Sequence, residues 1–390
     1  MHRLPSLNPI CTAHRHGVRL HPSIASTSVS SQLSKAIRVA LDAAGGDNAP
    51  ADTVKGALKA ARKSNAEILL VGPPELLEPE IHKCGGLPAN ARVVPSDAAL
   101  IEGEPPTHAL RRKASCSVAV AAKLVRDGEA DAMVSAGSTG AASVSAIYYM
   151  GMLPGIGRPA VCVPLVGLAP HTVLIDGGAN VDCKPQHMLS FGAIGTVYAR
   201  RMLGVAEPTV ALLSTGTEQG KGPKTLQETY TLLGQSGLNF IGNIEGYDVL
   251  TGKANVIVCD GIVGNIVMKL YESLGPCFTR WITGRLNGTP LFGPGRRVLC
   301  QMARFTRLTR AESAGGGLLW GVNGVVQIMH GNSTAPHYER AIGRAAKAAE
   351  ADVVGELREE FAAVEERCRA FLDSTPLTPH DGPAPFAISI

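Results

Sequence analysis

The sequence predicts an α/β fold built on a mostly parallel sheet, and three observations predict it. Short aliphatic runs alternate with helix-like segments along most of the 390 residues, the pattern of strands joined by crossover helices. Six of those runs end alike, in a Gly-rich polar turn. Aromatics make up only 4% of the chain, so the core has to be built from Val, Leu, Ile and Ala, which suit close-packed α/β layers.

IRVALDAAGGDN opens the series, with Asp42, Gly45, Gly46 and Asp47 in its turn, and ADAMVSAGSTG follows with Ser138, Thr139 and Gly140. TVLIDGGAN runs into Asn180, Asp182, Cys183 and Lys184, and its glycines are Gly177 and Gly178. Pro185 then suits a first helical position, Met188, Leu189, Ile194, Val197 and Met202 fall mostly on one face, and Gly204 suits the stop. VALLSTGTEQGKG is the fourth strand and turn. NVIVCDGIVGN is the fifth, bringing Asp260, Gly261, Gly264 and Asn265 before a helix predicted over 265–274 that carries Lys269. VVQIMHGNS closes the series with His330 and Asn332, before a long helix predicted from about Pro336 to Leu372 with Glu356, Glu359 and Glu360. Loops at the carboxyl ends of parallel strands collect on one edge, so all six are expected to line one cleft.

Composition sets the bounds. Apolar residues at 45% and charged residues at 18% describe a folded globular chain of one large or two ordinary domains. A net charge of +4 does not mark a nucleic-acid binder. The nine cysteines are scattered with no CxxC pair and no zinc-type spacing, which implies a reduced compartment and no structural metal. No apolar run approaches the roughly 18 residues of a spanning helix. Residues 1–36 are basic and Ser-rich with no acid before Asp42; a transit peptide, an unstructured extension and an over-long gene start all fit. Residues 373–390 read as a Pro-rich tail.

Glycines admit close approach of backbone N–H groups, and helix N-termini carry partial positive charge, so such turns point to an anionic ligand. The named nucleotide motifs do not fit. Gly155, Gly157 and Ala160 match G-x-G-x-x-A in letters but precede a strand, and the loop from Gly216 to Gly222 is one residue short of a lysine-type phosphate loop and ends without Ser or Thr. SAGSTG lacks the spacing of a hydrolase elbow, and Cys183 reads as a packing residue. No cofactor is expected, and any nucleophile has to come from a substrate.

In order, ALDAAGGDNAP, the segment RRKASCSVAVAAKLVRDGEADAMVSAGSTGA, LPGIGRPAV, LIDGGANVDCKPQHM, NFIGNIEGYDVLTGKANVIVCDGIVGNIVMK and GVNGVVQIMHGNS resemble the bacterial phosphate acyltransferase family, over about Ile37 to Phe371. Ser138 stands where that family usually has Asn, and STGTEQGKG replaces its NIGTEE-type loop. The resemblance implies a three-layer α/β/α body similar to phosphotransacetylases and to isocitrate and isopropylmalate dehydrogenases. It also implies a homodimer, an acyl carrier protein as partner, and transfer of an acyl group from that carrier to inorganic phosphate for phospholipid synthesis. A phosphotransacetylase-type transfer from coenzyme A and a non-enzymatic lipid-synthesis scaffold are the alternatives.

On this reading Lys184 and Asn180, with the backbone of Gly177 and Gly178, are expected to face phosphate or the tetrahedral intermediate, and Asp176 and Asp182 to orient them. Asp260 and Asn265 repeat the arrangement, with Gly261, Gly264 and Lys269 beside them. The turns at Asp42 and Ser138, together with His330 and Asn332, complete the expected substrate site. Arg111, Arg112 and Lys113 form the densest basic cluster of the body and suit an acidic carrier. Residues 276–310 carry Phe278, Trp281 and Ile282 among arginines with no Asp or Glu, an amphipathic arm for an anionic membrane surface or for a dimer mate. The expected location is cytoplasmic, peripherally associated with the membrane.

Overall fold

The computed structural model describes residues 36–99, 112–165, 167–286, 300, 301, 303 and 316–372. The expectations for residues 1–35, for Arg111 and for the tail lie outside the described residues, as does most of the arm beyond 286.

Among the described residues, eleven strands form one sheet in the order β3-β2-β1-β4-β11-β10-β5-β6-β9-β7-β8. They are β1 (Arg38–Asp42), β2 (Glu67–Gly72), β3 (Ala91–Pro95), β4 (Ala132–Ser135), β5 (Ala160–Pro164), β6 (Val173–Ile175), β7 (Val210–Leu213), β8 (Phe240–Ile244), β9 (Val256–Val258), β10 (Gly317–Trp320) and β11 (Val325–Ile328). All six strands anticipated from Gly-rich endings are present. The helices are α1 (Ala51–Lys63), α2 (Pro74–Lys83), α3 (Ser117–Arg126), α4 (Thr139–Met150), α5 (Pro185–Met202), α6 (Lys224–Gln235), α7 (Gly261–Leu286), α8 (Ala335–Glu350) and α9 (Val353–Leu372).

Strand alternation explains the three layers. Val39 and Leu41, Ile68 and Leu70, Val173 and Ile175, and Val256 and Val258 point to one face, where α1, α2, α5, α6, α8 and α9 cover them. The residues between them point the other way: Ala40, Leu69 and Met133 pack under α3 and α4, and Leu174, Ala211 and Ile257 pack near Tyr271 of α7. A strand with both faces covered has to be apolar throughout, hence the unbroken runs VALL and LLVG.

Three expectations change. The parallel pairings fall into two groups joined by antiparallel β10 and by the antiparallel pair β5–β6; β1–β5 and β11 run one way and β6–β10 the other. The turns after β1, β4 and β11 therefore lie at one edge and those after β6, β7 and β9 at the opposite edge. The helix anticipated over 265–274 begins at Gly261, where Asp260 caps its first turn, and continues through Pro276 to Leu286. The long helix from Pro336 is two, α8 and α9. Asp352, at φ 47°, separates them and starts the second by accepting the Gly355 N–H at 3.2 Å. The acids on α9 meet α5: Arg200 bridges Glu356 at 3.0 Å and Glu360 at 2.9 Å.

Candidate active site

β5 and β10 at the centre are only five and four residues long, about 13–17 Å. Loops from opposite edges can therefore fold over the same sheet face and meet, and two neighbouring recesses result.

The first is an apolar pocket of about 100 Å³ between α7 and the central strands. Val161, Cys162 and Val163 of β5, Ile328 and Met329, and Met268 and Tyr271 of α7 form its walls. Thr139, Gly177, Gly178, Asn265, Glu272 and His330 supply its polar groups. The second is a polar cavity of about 300 Å³ lined by Asp42, Gly45, Gly46, Asp47, Ser135, Gly137 and Ser138, among others. Ser138 lines one recess and Thr139 the other, so the start of α4 stands between them.

Asp176 organises the loop after β6. It is fully buried. Its Oδ1 accepts N–H bonds from Val161 at 2.9 Å, Gly178 at 3.3 Å and Ala179 at 3.1 Å, and its Oδ2 accepts from the backbone and side chain of Asn180 at 2.8 and 2.9 Å. Asn180 gives its second amide proton to Pro159 O at 2.7 Å, and the Gly177 N–H donates to Val161 O. The donors expected to face substrate are thus turned inward, those of Gly178 and Asn180 because a buried carboxylate requires them and that of Gly177 by its bond to β5. Burial pushes the Asp176 carboxyl above its ordinary range, against those hydrogen bonds.

The same loop anchors α7. Gly261 donates to Asn180 O at 2.9 Å, Asp260 Oδ1 accepts the Val263 N–H at 2.8 Å, and a Cβ on Gly264 would lie 1.8 Å from Asp176 O. Asn265, one residue on, faces the pocket, and its amide has no hydrogen-bond partner among the described residues. Cys183 is no nucleophile in waiting: burial, with the negative charge of Asp176 second, pushes its thiol up to about 12. Lys184, half-buried, caps α5 and gives its N–H to His187 Nδ1 at 3.1 Å; it lies outside both linings. Asp182 and Lys269 are exposed, also outside them.

At the other edge, Asp42 is buried and accepts from Ser135 Oγ at 2.7 Å. Burial raises its carboxyl, while Ser117, Ser135 and the N–H groups of Gly45 and Ala44 oppose the shift. Only glycine fits at 45, since a Cβ there would stand 2.4 Å from Asp42 Oδ2. The Asp47 N–H donates to Gly331 O at 2.8 Å, and Asn48 reaches Asn332 O at 3.3 Å. The turns after β1, β4 and β11 are therefore one unit, with His330 reaching the apolar pocket and Asn332 outside it. The turn after β7 is held to β8 by Asn243 and Glu218 O and reaches neither recess.

The helix starts differ in what remains free. α5 is closed by His187 and α7 by Asp260. α4 has no side-chain cap, and its first N–H groups, at Thr139, Gly140 and Ala141, have no acceptor among the described residues. An open helix start between a polar cavity and an apolar pocket is a ready seat for an oxyanion.

The fold is an α/β/α one similar to that of phosphotransacetylases. The phosphotransacetylase of Streptococcus pyogenes superposes with a TM-score of 0.58 over 82% of this chain and 95% of its own, at 18% identity. That of Staphylococcus aureus gives 0.53 over 81% and 94%. The family described as fatty acid synthesis protein matches residues 37–356. The phosphate acyltransferase of Desulfitobacterium hafniense is 40% identical over 83% of this chain and 98% of its own, and that of a Nostoc species 39% over 84% and 97%. The chain belongs to the phosphate acyltransferase family and is an enzyme of that class.

Glu272, which lines the apolar pocket, was not singled out from the sequence. For Glu272 a signal existed: it follows Asn265 by seven residues and Met268 by four, so the three share one helical face.

Proposed function

We propose that the enzyme transfers a fatty acyl group from the thioester of an acyl carrier protein to inorganic phosphate, giving acyl phosphate for phospholipid synthesis. The observation that carries this reading is the uncapped start of α4 between the two recesses. Phosphate seats at the N–H groups of Thr139, Gly140 and Ala141 on the side of the polar cavity, and the thioester arm lies in the apolar pocket beneath α7.

Phosphate is anionic near neutral pH and needs no serine or cysteine intermediary. One of its oxygens forms a bond to the thioester carbon, the carbonyl oxygen takes up the charge, and the C–S bond then breaks. The departing thiolate has a conjugate pKa of about 8.5, so it leaves readily and takes a proton from water. Positioning supplies about 7–11 kcal/mol and one well-aimed oxyanion donor about 3–4 kcal/mol. Asn265, whose amide faces the pocket with no partner among the described residues, is that donor; Asp260 holds the turn that presents it, and Lys184 adds positive charge at the loop's rim.

The carrier, an acidic protein, docks through the basic ridge that includes Arg112 and Lys113. Two copies of the chain form the working enzyme, in the cytoplasm and against the membrane surface through the far end of α7. No described helix is long and apolar enough to cross a membrane. The test is release of free thiol from a long-chain acyl carrier protein, with and without phosphate, beside the matching coenzyme A thioester. Phosphate-dependent release with the carrier protein preferred is expected. Preference for coenzyme A moves the reading to a phosphotransacetylase-type donor, and binding without release supports a scaffold.

A further inference from the structure

Glu272 is out of place in its surroundings. It lies on the pocket-facing side of α7, among Met268, Tyr271, Val161, Val163 and Met329. Its Oε1 is buried and meets no hydrogen-bond donor among the described residues. A buried acceptor left without a donor costs about 1–3 kcal/mol, more when charged, and one that lines a pocket can be completed by a bound ligand. The neighbouring Tyr271 is the contrast, since its hydroxyl accepts the Gly167 N–H at 3.0 Å. Asn265, about two turns earlier on the same face, likewise has no side-chain partner among the described residues. Beside Thr139 and His330, the mainly apolar pocket wall thus carries one acceptor and one amide that meet no partner among the described residues.

An alkyl chain offers neither group a bond. The ligand that fits has methylenes to cover Val161, Val163 and Met268 and an N–H donor to reach the carboxylate. The thiol arm shared by acyl carrier protein and coenzyme A has that character: secondary amides separated by two-carbon spacers, the first amide two carbons from the sulfur. We infer that this pocket holds the amide-bearing arm of the thioester rather than its alkyl chain, and that Glu272 is a substrate-binding residue accepting the N–H of the amide nearest the sulfur. This rests on the acyl-transfer reading for the direction of the arm, with the thioester carbon toward Thr139 and the start of α4. It also explains why the pocket is small, because the acyl chain leaves it rather than filling it.

Two measurements separate this assignment from the transfer reading. The first is calorimetric binding of an unreactive S-alkyl pantetheine thioether, without phosphate, to the wild type and to Glu272→Leu and Glu272→Gln. Glu272→Leu is expected to bind about ten- to a hundredfold more weakly, the worth of a hydrogen bond to a charged group; Glu272→Gln, which keeps an acceptor, falls between. The second compares phosphate-dependent turnover of an acyl N-acetylcysteamine thioester with that of its analogue bearing an ester in place of the amide, which removes only the N–H. The wild type is expected to favour the amide at least about tenfold in kcat/KM, and Glu272→Leu to favour it less than about twofold. The KM for phosphate stays at the wild-type value. The melting temperature of Glu272→Leu stays level or rises, because an unsatisfied group has been replaced by an apolar one. Equal binding by wild type and Glu272→Leu, undiminished amide preference in that variant, or a lower melting point with unchanged binding would each overturn the assignment. Binding through Glu272 with no phosphate-dependent thiol release would sink the transfer reading alone.

Discussion

Asp176 Oδ2 accepts both the backbone N–H and the side-chain amide of Asn180, at 2.8 and 2.9 Å. One buried carboxylate thus closes the loop that starts α5 and abuts α7. Asp176→Asn puts an amide where several N–H donors converge, so at least one buried donor loses its acceptor. The expected cost is about 2–4 kcal/mol, read as a melting temperature several degrees lower, with activity falling alongside because Asn265 is seated through the same loop. An Asn variant melting with the wild type would remove Asp176 as the loop's organiser.

Asp42 gives a pH signature. Burial raises its folded-state pKa above the ordinary 3.8, so between those two values the folded chain holds a proton that the unfolded chain has lost. Its contribution to stability is whole below about pH 4 and declines as pH rises to the folded pKa. Asp42→Asn has no such ionisation. The melting temperature of the variant relative to wild type should therefore climb as the pH is raised from 4, then level off. A difference that stays flat from pH 4 to 8 contradicts the shift.

What the sequence revealed follows from what is local. The six strand endings, the start of α5 at Pro185 and its stop at Gly204, with φ +74°, depend on neighbouring residues and were legible. The reversal of half the sheet was not, because it is set by pairings such as Leu319 with Val161, far apart in the chain. The same applies to the site. Glycines and polar residues marked the turns after β1, β4, β6, β9 and β11 that line the two recesses, and also the turn after β7 that does not, but whether Asn180 faces a ligand or Asp176 is decided by burial. Likewise, nothing local says that Thr139 opens an uncapped helix while Gly261 opens a capped one.

Gly264→Ala tests the seating of α7. Its Cβ would lie 1.8 Å from the Asp176 carbonyl oxygen and 3.1 Å from Cys259 Sγ, and backbone cannot swing aside as a side chain does. The helix has to lift from the loop. A loss of about 3 kcal/mol or more is expected, together with a raised KM for the thioester, measured by thermal melts and initial rates; an alanine variant with wild-type values for both would show that α7 is not clamped here.

Lys184→Met separates charge from scaffold. The side chain is half-buried at the rim of the loop and outside both linings, while its backbone, which binds His187, is unchanged by the substitution. Turnover is expected to fall at least about tenfold, the order of one removed electrostatic partner, with the melting temperature within about 2 °C of wild type. A near-normal rate would leave the first turn of α4 to hold phosphate without help from lysine.

The last prediction concerns the outer face of α7. Ile266 and Leu270 are 61% and 62% exposed, and Phe278 and Trp281 are 52% and 59% exposed further along the helix. The spacing 266, 270, 278, 281 keeps them near one side, and Arg280 beside them is also exposed. An aromatic pair flanked by arginine at the end of a helix suits shallow insertion into an anionic bilayer, where apolar burial and charge attraction act together. Ile266 and Leu270, nearer the body, suit a second copy of the chain. Flotation with vesicles containing phosphatidylserine should therefore carry the wild type at low salt and release much of it at high salt, because a Debye length near 10 Å at 0.1 M shrinks to about 3 Å at 1 M. The double variant Phe278→Ser, Trp281→Ser should float poorly in both while remaining dimeric by light scattering. Ile266→Asp should do the reverse, weakening the dimer first. Equal flotation of the aromatic double variant and the wild type at every salt concentration would remove the membrane role from this end of α7 and leave its apolar side to the dimer alone.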